Sequence, residues 1–381
     1  MIYDISDAAF KHLLNDERLF LPIRWEGSDY ATALDNHYKY YIKAIENNSD
    51  EFNEPTKNLT CRYEEIKMVC AFLVQAVEEY LNGFPARAYN TFGHAMNILI
   101  GHPLKVYEKS ITELFGVSNH KYEDELDLYR IVRVSDNRPY PRRRVFHTPY
   151  NMRSLVSGSR FSIAGYPSLY LATSLQLCCQ ELHIDPYQDL AIASLFKLER
   201  NLEFARAHIN VIELAVKPQD FLMESNDNYI NKEYPVGKRH ISNDMLKKDN
   251  VKEAYMLWYP LIAACSFIRT NQSAPFSAEF IVPQLLMQWV RSNNTSDDKR
   301  HHRLTGIRYF SCSSMIASNM GFNYVFPTSG QQISPDLPFC SVLGRAFRLT
   351  LPVYINEYYP DYQECERFLK RKGDLDYIDA K

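Results

Sequence analysis

The chain has 381 residues, 46% hydrophobic and 23% charged, with a formal net charge of −3. This is the balance of a soluble globular protein with room for one large or two ordinary domains, and it excludes a general attraction to nucleic acid or acidic membrane. No apolar run approaches the roughly 20 residues of a membrane-spanning helix, and the start, MIYDISDAAF, lacks the basic and apolar segments of a secretion signal.

The expected location is therefore the cytoplasm, with a homo-oligomer left open. Eight cysteines are scattered without a CxxC pair, so neither a zinc site nor a thioredoxin-like motif is indicated. Tyr (27) and Phe (21) are plentiful, which predicts an aromatic core and an aromatic lining for any ligand cleft.

Residues 1–120 read as helical. Asp7 to Leu14 and Tyr30 to Ile45 carry apolar residues at helical spacing. From Tyr63 to Leu81, the positions Ile66, Val69, Leu73, Ala76, Val77 and Tyr80 recur at three- and four-residue steps. Asn82-Gly83 ends that helix, and Pro85 opens another towards Ile100.

The pattern changes after residue 120. Leu128 to Val134 is β-branched and aromatic and reads as a strand. Further strands are expected at 168–172, 204–216, 306–311 and 346–351, and helices at 173–183, 251–268 and 279–291. Residues 217–250 read as an irregular insertion, 292–303 as an exposed loop and 361–381 as a charged, peripheral end. The expected fold class is α+β: a helical domain over 1–120, then a mixed α/β domain over 121–381.

The candidate chemistry gathers in the second domain. Arg130 lies in the first strand, either as a surface ion-pair partner or as a fork-shaped donor to phosphate oxygens. Arg160 follows Gly158-Ser159, where a turn lets the backbone approach a ligand. His147 starts the stretch that leads to it. Tyr170 sits in the apolar strand Leu169-Tyr170-Leu171, either as core or as the lining of a cleft. Glu181 shares a helix with Leu175, Leu177, Cys178, Cys179 and Leu182. A carboxylate among such neighbours is expected to be partly buried, and so to need a partner or a function. Ser311 ends a strand, with Ser313 and Ser314 close by, and no GxSxG elbow surrounds it. There is no Walker A sequence and no GxGxxG motif. His301-His302 reads as solvated, and no metal site is expected.

Taken together, Leu128-Tyr129-Arg130, Gly158-Ser159-Arg160-Phe161, Gly165-Tyr166-Pro167, Leu169-Tyr170-Leu171, Glu181, Tyr309-Phe310-Ser311 and Asn323 resemble, in order and spacing, the RES-domain family. The likeness covers about residues 126–351. It departs in having Phe161-Ser162-Ile163 where Trp-Asn-Pro is commoner, and in a long segment, 217–280, before the serine strand.

The resemblance implies an ADP-ribosyltransferase-like fold, NAD consumed as substrate by hydrolysis or phosphorolysis, no metal, and a toxin held in check by an antitoxin protein. It assigns catalytic roles to Arg130, Glu181 and Ser311, and NAD-binding roles to Arg160, Tyr170, Asn323 and His147. ADP-ribosyl transfer to a macromolecule is the alternative on the same domain. The N-terminal half resembles a HEPN-like helical domain. Its Arg87 and His94, seven residues apart, would share a helix face. They read either as ribonuclease residues or as ordinary helix residues. The near-neutral charge argues against a nucleic-acid partner.

Overall fold

The computed structural model describes residues 7–26, 29–51, 57–102, 127–198, 210–222, 251–293, 304–328 and 338–378. These residues form two compact units. One takes 7–102, 215–222 and 251–289, and the other takes 127–198, 210–214, 290–293, 304–328 and 338–378. The class is α+β. A single cut near 120 does not describe the units, however, because helix 251–264 belongs with the N-terminal helices.

The first unit is helical. Its elements are α1 (Asp7–Leu14), α2 (Tyr30–Glu51), α3 (Lys57–Leu81) and α4 (Pro85–Ile100). Gly83, at φ 85°, takes the left-handed conformation that breaks α3 from α4. Into this set comes α6 (Val251–Ala264), buried along its whole length. A helix apolar on every side needs cover on every side.

Three tyrosines of α2 supply part of that cover, and their hydroxyls read the backbone of α6. Tyr41 donates to the Met256 carbonyl (2.9 Å), Tyr38 to that of Pro260 (2.7 Å) and Tyr30 to that of Ala264 (3.0 Å). The first of these has a covalent cause. The Met256 carbonyl would accept from the N–H of residue 260, and Pro260 has none. Tyr41 fills that vacancy. Tyr41→Phe is expected to cost about 1–3 kcal/mol, because it strands a buried acceptor. Tyr38→Phe should cost less, since Ala264 retains an N–H. Chemical denaturation of the two variants measures the difference, and equal losses would refute the account.

His37 is half-buried in the same unit. Tyr259 donates its hydroxyl proton to the Leu19 carbonyl (2.9 Å), so the His37 Nε2–H donates to the phenol oxygen at 2.9 Å. Burial pulls the His37 pKa down to about 4.

The second unit is built on a mixed sheet. Its strands are β1 (Leu128–Arg133), β2 (Ser168–Ala172), β3 (Ala191–Leu198), β4 (Asn210–Glu213), β5 (Leu304–Phe310), β6 (Phe322–Pro327), β7 (Phe347–Leu349) and β8 (Val353–Tyr354). The order is β4-β5-β6-β2-β1-β3-β7, with β8 on β3. Only β4 and β5 run parallel.

The middle of the sheet is its weakest seam. β1 pairs with β3 over six positions and β2 with β6 over five, but β1 meets β2 at one, Tyr129↔Ala172. The sheet therefore has two well-laddered halves joined at a single point.

One face of the sheet is covered by α5 (Leu175–Leu182) and α9 (Tyr362–Lys372). Leu175, Leu177, Cys178, Cys365 and Leu369 pack there on Tyr129, Ile131, Ala172 and Leu195. The charged C-terminal stretch is thus not peripheral, because its apolar stripe is core. α7 (Ile281–Asn293) and α8 (Ser341–Ala346) complete the helices described. The described cysteines are buried free thiols, Cys178 and Cys179 among them. Strands β3, β6 and β8 are additional to those expected, and residues 223–250 and 294–303, His301-His302 included, lie outside the described residues. Among the described residues, no helix is long and apolar enough to cross a membrane.

Candidate functional site

The β2–α5 connection sets the site. Ser174 caps α5, its hydroxyl accepting from the Leu177 N–H at 3.2 Å. A Glu366 carboxylate oxygen accepts from the Leu175 N–H at 2.7 Å, a favourable place for a negative charge at a helix start. His183 closes the helix in the left-handed conformation, at φ 50°. Thr173 locks the connection to β6: its N–H donates to the Phe322 carbonyl (3.0 Å), and its hydroxyl accepts from the Phe322 N–H (2.9 Å). The residue after Phe322 is Asn323, and its Nδ2 donates to Glu181 Oε1 at 2.7 Å. The Glu181 carboxylate is half-buried and held against the sheet, as its apolar helix neighbours predict.

Arg130 lies at the seam between β1 and β2. Its Nη1 donates to the Tyr170 carbonyl at 3.0 Å. Its Nε is buried without a hydrogen-bond partner, and no carboxylate among the described residues pairs with it. Burial, with Arg144 as a like charge nearby, lowers its pKa to about 10 against the smaller opposing influence of Cys178 and Tyr170. It remains charged at neutral pH, a half-buried guanidinium with no counter-ion among the described residues.

Arg160 and Phe161 form the tip of a small hairpin. The N–H and carbonyl of Ser159 exchange hydrogen bonds with those of Ser162 (3.1 and 3.2 Å). Phe161 is fully buried against Tyr309, with ring centroids 4.6 Å apart. Below the hairpin, the Tyr170 phenol meets the hydroxyls of Ser159 (2.9 Å) and Ser162 (2.6 Å). Gly165, at φ 77°, turns the chain back into β2.

Two buried groups show that these parts share one neighbourhood. The Tyr309 phenol is pushed well up, by burial first and then by Glu181 and Tyr170, with Arg160 opposing. The Cys178 thiol is also pushed well up by burial, and it feels both Glu181 and, in the opposite sense, Arg130. Hydrogen bonds join Arg130 to Tyr170 and Asn323 to Glu181, Ala172 of β2 pairs with Asn323 of β6, and Arg160 lies in the hairpin held by Tyr170. Tyr309, Ser159, Ser162 and Cys178 join them. None of these four carries a role expected from sequence, although Ser159, Ser162 and Tyr309 stand in the motifs around Arg160 and Ser311.

Two expected members stand differently. Ser311 is fully buried just beyond β5, and its hydroxyl bonds that of Ser313 at 2.9 Å. Ser314 caps the short turn at Ala317, accepting from its N–H at 3.0 Å. His147 is also fully buried. Its Nδ1–H donates to the Thr148 carbonyl (2.8 Å), and its Nε2 accepts from the Cys340 N–H (2.9 Å), so both ring nitrogens are engaged by backbone.

Burial lowers the His147 pKa to about 4, partly opposed by the Thr148 carbonyl and assisted by Arg130. His37 has the same low value. For a histidine held neutral by the fold, the stability it contributes is complete above the unfolded value near 6.5, and it is lost as pH falls from there towards 4. Each is expected to cost about 3 kcal/mol across that window. The double variant His37→Gln/His147→Gln should flatten the acid limb of a stability–pH curve. An unchanged limb would refute the assignment.

In the helical unit, Arg87 donates to Glu79 Oε1 at 3.4 Å, and Thr91 donates to the other Glu79 oxygen at 2.7 Å. His94 is exposed, its ring 5.5 Å from that of Phe72. Among the described residues, no cluster of His, Cys, Asp or Glu has a metal-binding arrangement.

Over 338 residues, 87% of this chain and 68% of the other, the sequence is 26% identical to a protein of Bacillus subtilis (strain 168) named "Putative toxin YopC". No family model and no solved structure matches the chain.

Proposed function

We propose that this protein is a toxin that destroys NAD by breaking the bond between nicotinamide and ribose. The observation that carries the reading is Arg130: a half-buried guanidinium group whose Nε is buried and unpaired, with no carboxylate partner among the described residues. Such a charge suits an anionic ligand, and a dinucleotide supplies one in its pyrophosphate. The toxin role draws on the likeness to the Bacillus subtilis protein bearing that word in its name. The NAD chemistry draws on the RES-like order of residues.

In the proposed reaction the C1′–N bond breaks and its electron pair leaves with nicotinamide, which departs neutral. The ribosyl carbon passes through an oxocarbenium-like state, as in glycoside hydrolysis. Glu181, oriented by Asn323, offsets the developing positive charge. Water then adds its oxygen to C1′ and releases a proton, giving ADP-ribose. If phosphate takes that place, the product is the 1-phosphate of ADP-ribose. Arg130 and Arg160 hold the pyrophosphate, and the Tyr170 ring lines the planar part of the ligand. The Ser311–Ser313 hydroxyl pair is assigned to the acceptor side. A cell that makes such an enzyme needs a neutralising partner protein.

The test is nicotinamide release from NAD by the purified full chain, with and without phosphate. No release under either condition would overturn the reading. Labelled NAD that marks a protein or nucleic acid would replace hydrolysis with ADP-ribosyl transfer.

A further inference from the structure

The Tyr170 phenol oxygen has more partners than its position in a strand requires. The hydroxyls of Ser159 and Ser162 lie 2.9 and 2.6 Å away. A phenol has one proton and two lone pairs. Two hydroxyl partners from one four-residue hairpin occupy most of that capacity and turn the phenol oxygen towards protein, which leaves the ring to meet a ligand.

The same two bonds fix the hairpin from below. Its tip residues are Arg160 and Phe161. Phe161 is pinned on Tyr309 of β5, and the backbone around it is pinned on Tyr170 of β2. Glycines at 158 and 165 flank this stretch, so little in the local chain would hold it rigid without those contacts.

We infer that the Tyr170 hydroxyl is a latch for the 159–162 hairpin: Ser159, Ser162 and the phenol are positioning groups that set the place of Arg160, and the hydroxyl does not bind the ligand. The inference rests on the proposed NAD reading for its readout. It also divides Tyr170 into two separable parts, a ring that faces ligand and a hydroxyl that faces protein. Ser162 stands where the RES-like pattern more often has asparagine, so this form of the latch is a feature of this chain.

The test is a mutant cycle read in nicotinamide release by the full chain, with KM and kcat determined separately. Tyr170→Phe keeps the ring and removes the hydroxyl. It is expected to raise KM for NAD about tenfold, the equivalent of one net hydrogen bond, with kcat changed less. The double variant Ser159→Ala/Ser162→Ala should reproduce that pattern. Adding Tyr170→Phe to Arg160→Ala should then cost nothing further, because the latch acts only through Arg160. Ser162→Thr, which restores a hydroxyl, should behave as the parent.

If the Tyr170→Phe and Arg160→Ala losses add in full, or if Tyr170→Phe acts while the serine double variant does not, the hydroxyl touches the ligand and the latch is refuted. If the parent chain releases no nicotinamide, the NAD reading falls and the latch falls with it. A parent that is active with additive variants sinks the latch alone.

Discussion

Arg130→Met is expected to abolish NAD turnover and yet leave the protein at least as resistant to heat as the parent. Arg130 is half-buried, with Nη1 on one carbonyl 3.0 Å away, its Nε buried and unpaired, and Arg144 adding a like charge. Replacing buried ionic groups by apolar side chains of similar volume is often neutral or stabilising, by up to about 4 kcal/mol, and a half-buried arginine stands at the low end of that range. Here the Tyr170 carbonyl loses a donor, which takes back about 1 kcal/mol. The balance is neutral to mildly favourable. Activity should move the other way, with kcat/KM falling at least about 100-fold for the loss of a charge-assisted contact to the pyrophosphate. Thermal unfolding and nicotinamide release on the same preparation test both halves. A variant that melts early but turns over NAD normally would make Arg130 a structural residue.

Glu181→Gln is the second large effect, and it should separate chemistry from binding. Gln keeps the length of the side chain and an oxygen for Asn323 Nδ2 to donate to, so the 2.7 Å bond that holds residue 181 has a replacement. What disappears is the negative charge. An interaction made with charge that develops only in the transition state lowers kcat and leaves ground-state binding alone. The expected result is a fall in kcat of about 100- to 1,000-fold, the scale seen when one preorganised stabiliser is removed. NAD affinity by calorimetry should stay within a few-fold of the parent. An unchanged kcat would remove Glu181 from the chemistry. A parallel loss of affinity would make it a binding residue.

Much of this site is legible locally. Ser174 as a cap, the Gly165-Tyr166-Pro167 turn and the apolar strand after that turn predict the β2–α5 unit within a residue or two. Glu181 stands out because its helix neighbours are apolar. What does not show in the sequence is set by pairing over long distances. Strand β3 is buried over Ala191–Phe196, and β6 along its whole length, so both lack the alternation that marks a half-exposed strand. The C-terminal helix is so charged that Cys365 and Leu369, both fully buried, are easy to overlook. Helix 251–264 follows strands in the chain, yet its cover comes from tyrosines over 200 positions earlier. His147 illustrates the converse. A histidine at the head of a ligand-like stretch attracts a binding role, whereas Phe146, Tyr150 and Phe339 surround its ring and backbone takes both nitrogens.

Between the parallel neighbours β4 and β5 the chain passes through 215–222 and 251–289, which belong with the helical unit. Vectorial synthesis gives that detour a temporal meaning. Arg130, Arg160, Tyr170 and Glu181 leave the ribosome early, but Tyr309 and Asn323 emerge only after the last helical segment of the other unit. A nascent chain halted anywhere before that point carries an unfinished centre, and neither unit exists as one uninterrupted stretch that a nick or premature stop could release. The path of the backbone thus withholds the proposed activity from any product that stops before Asn323.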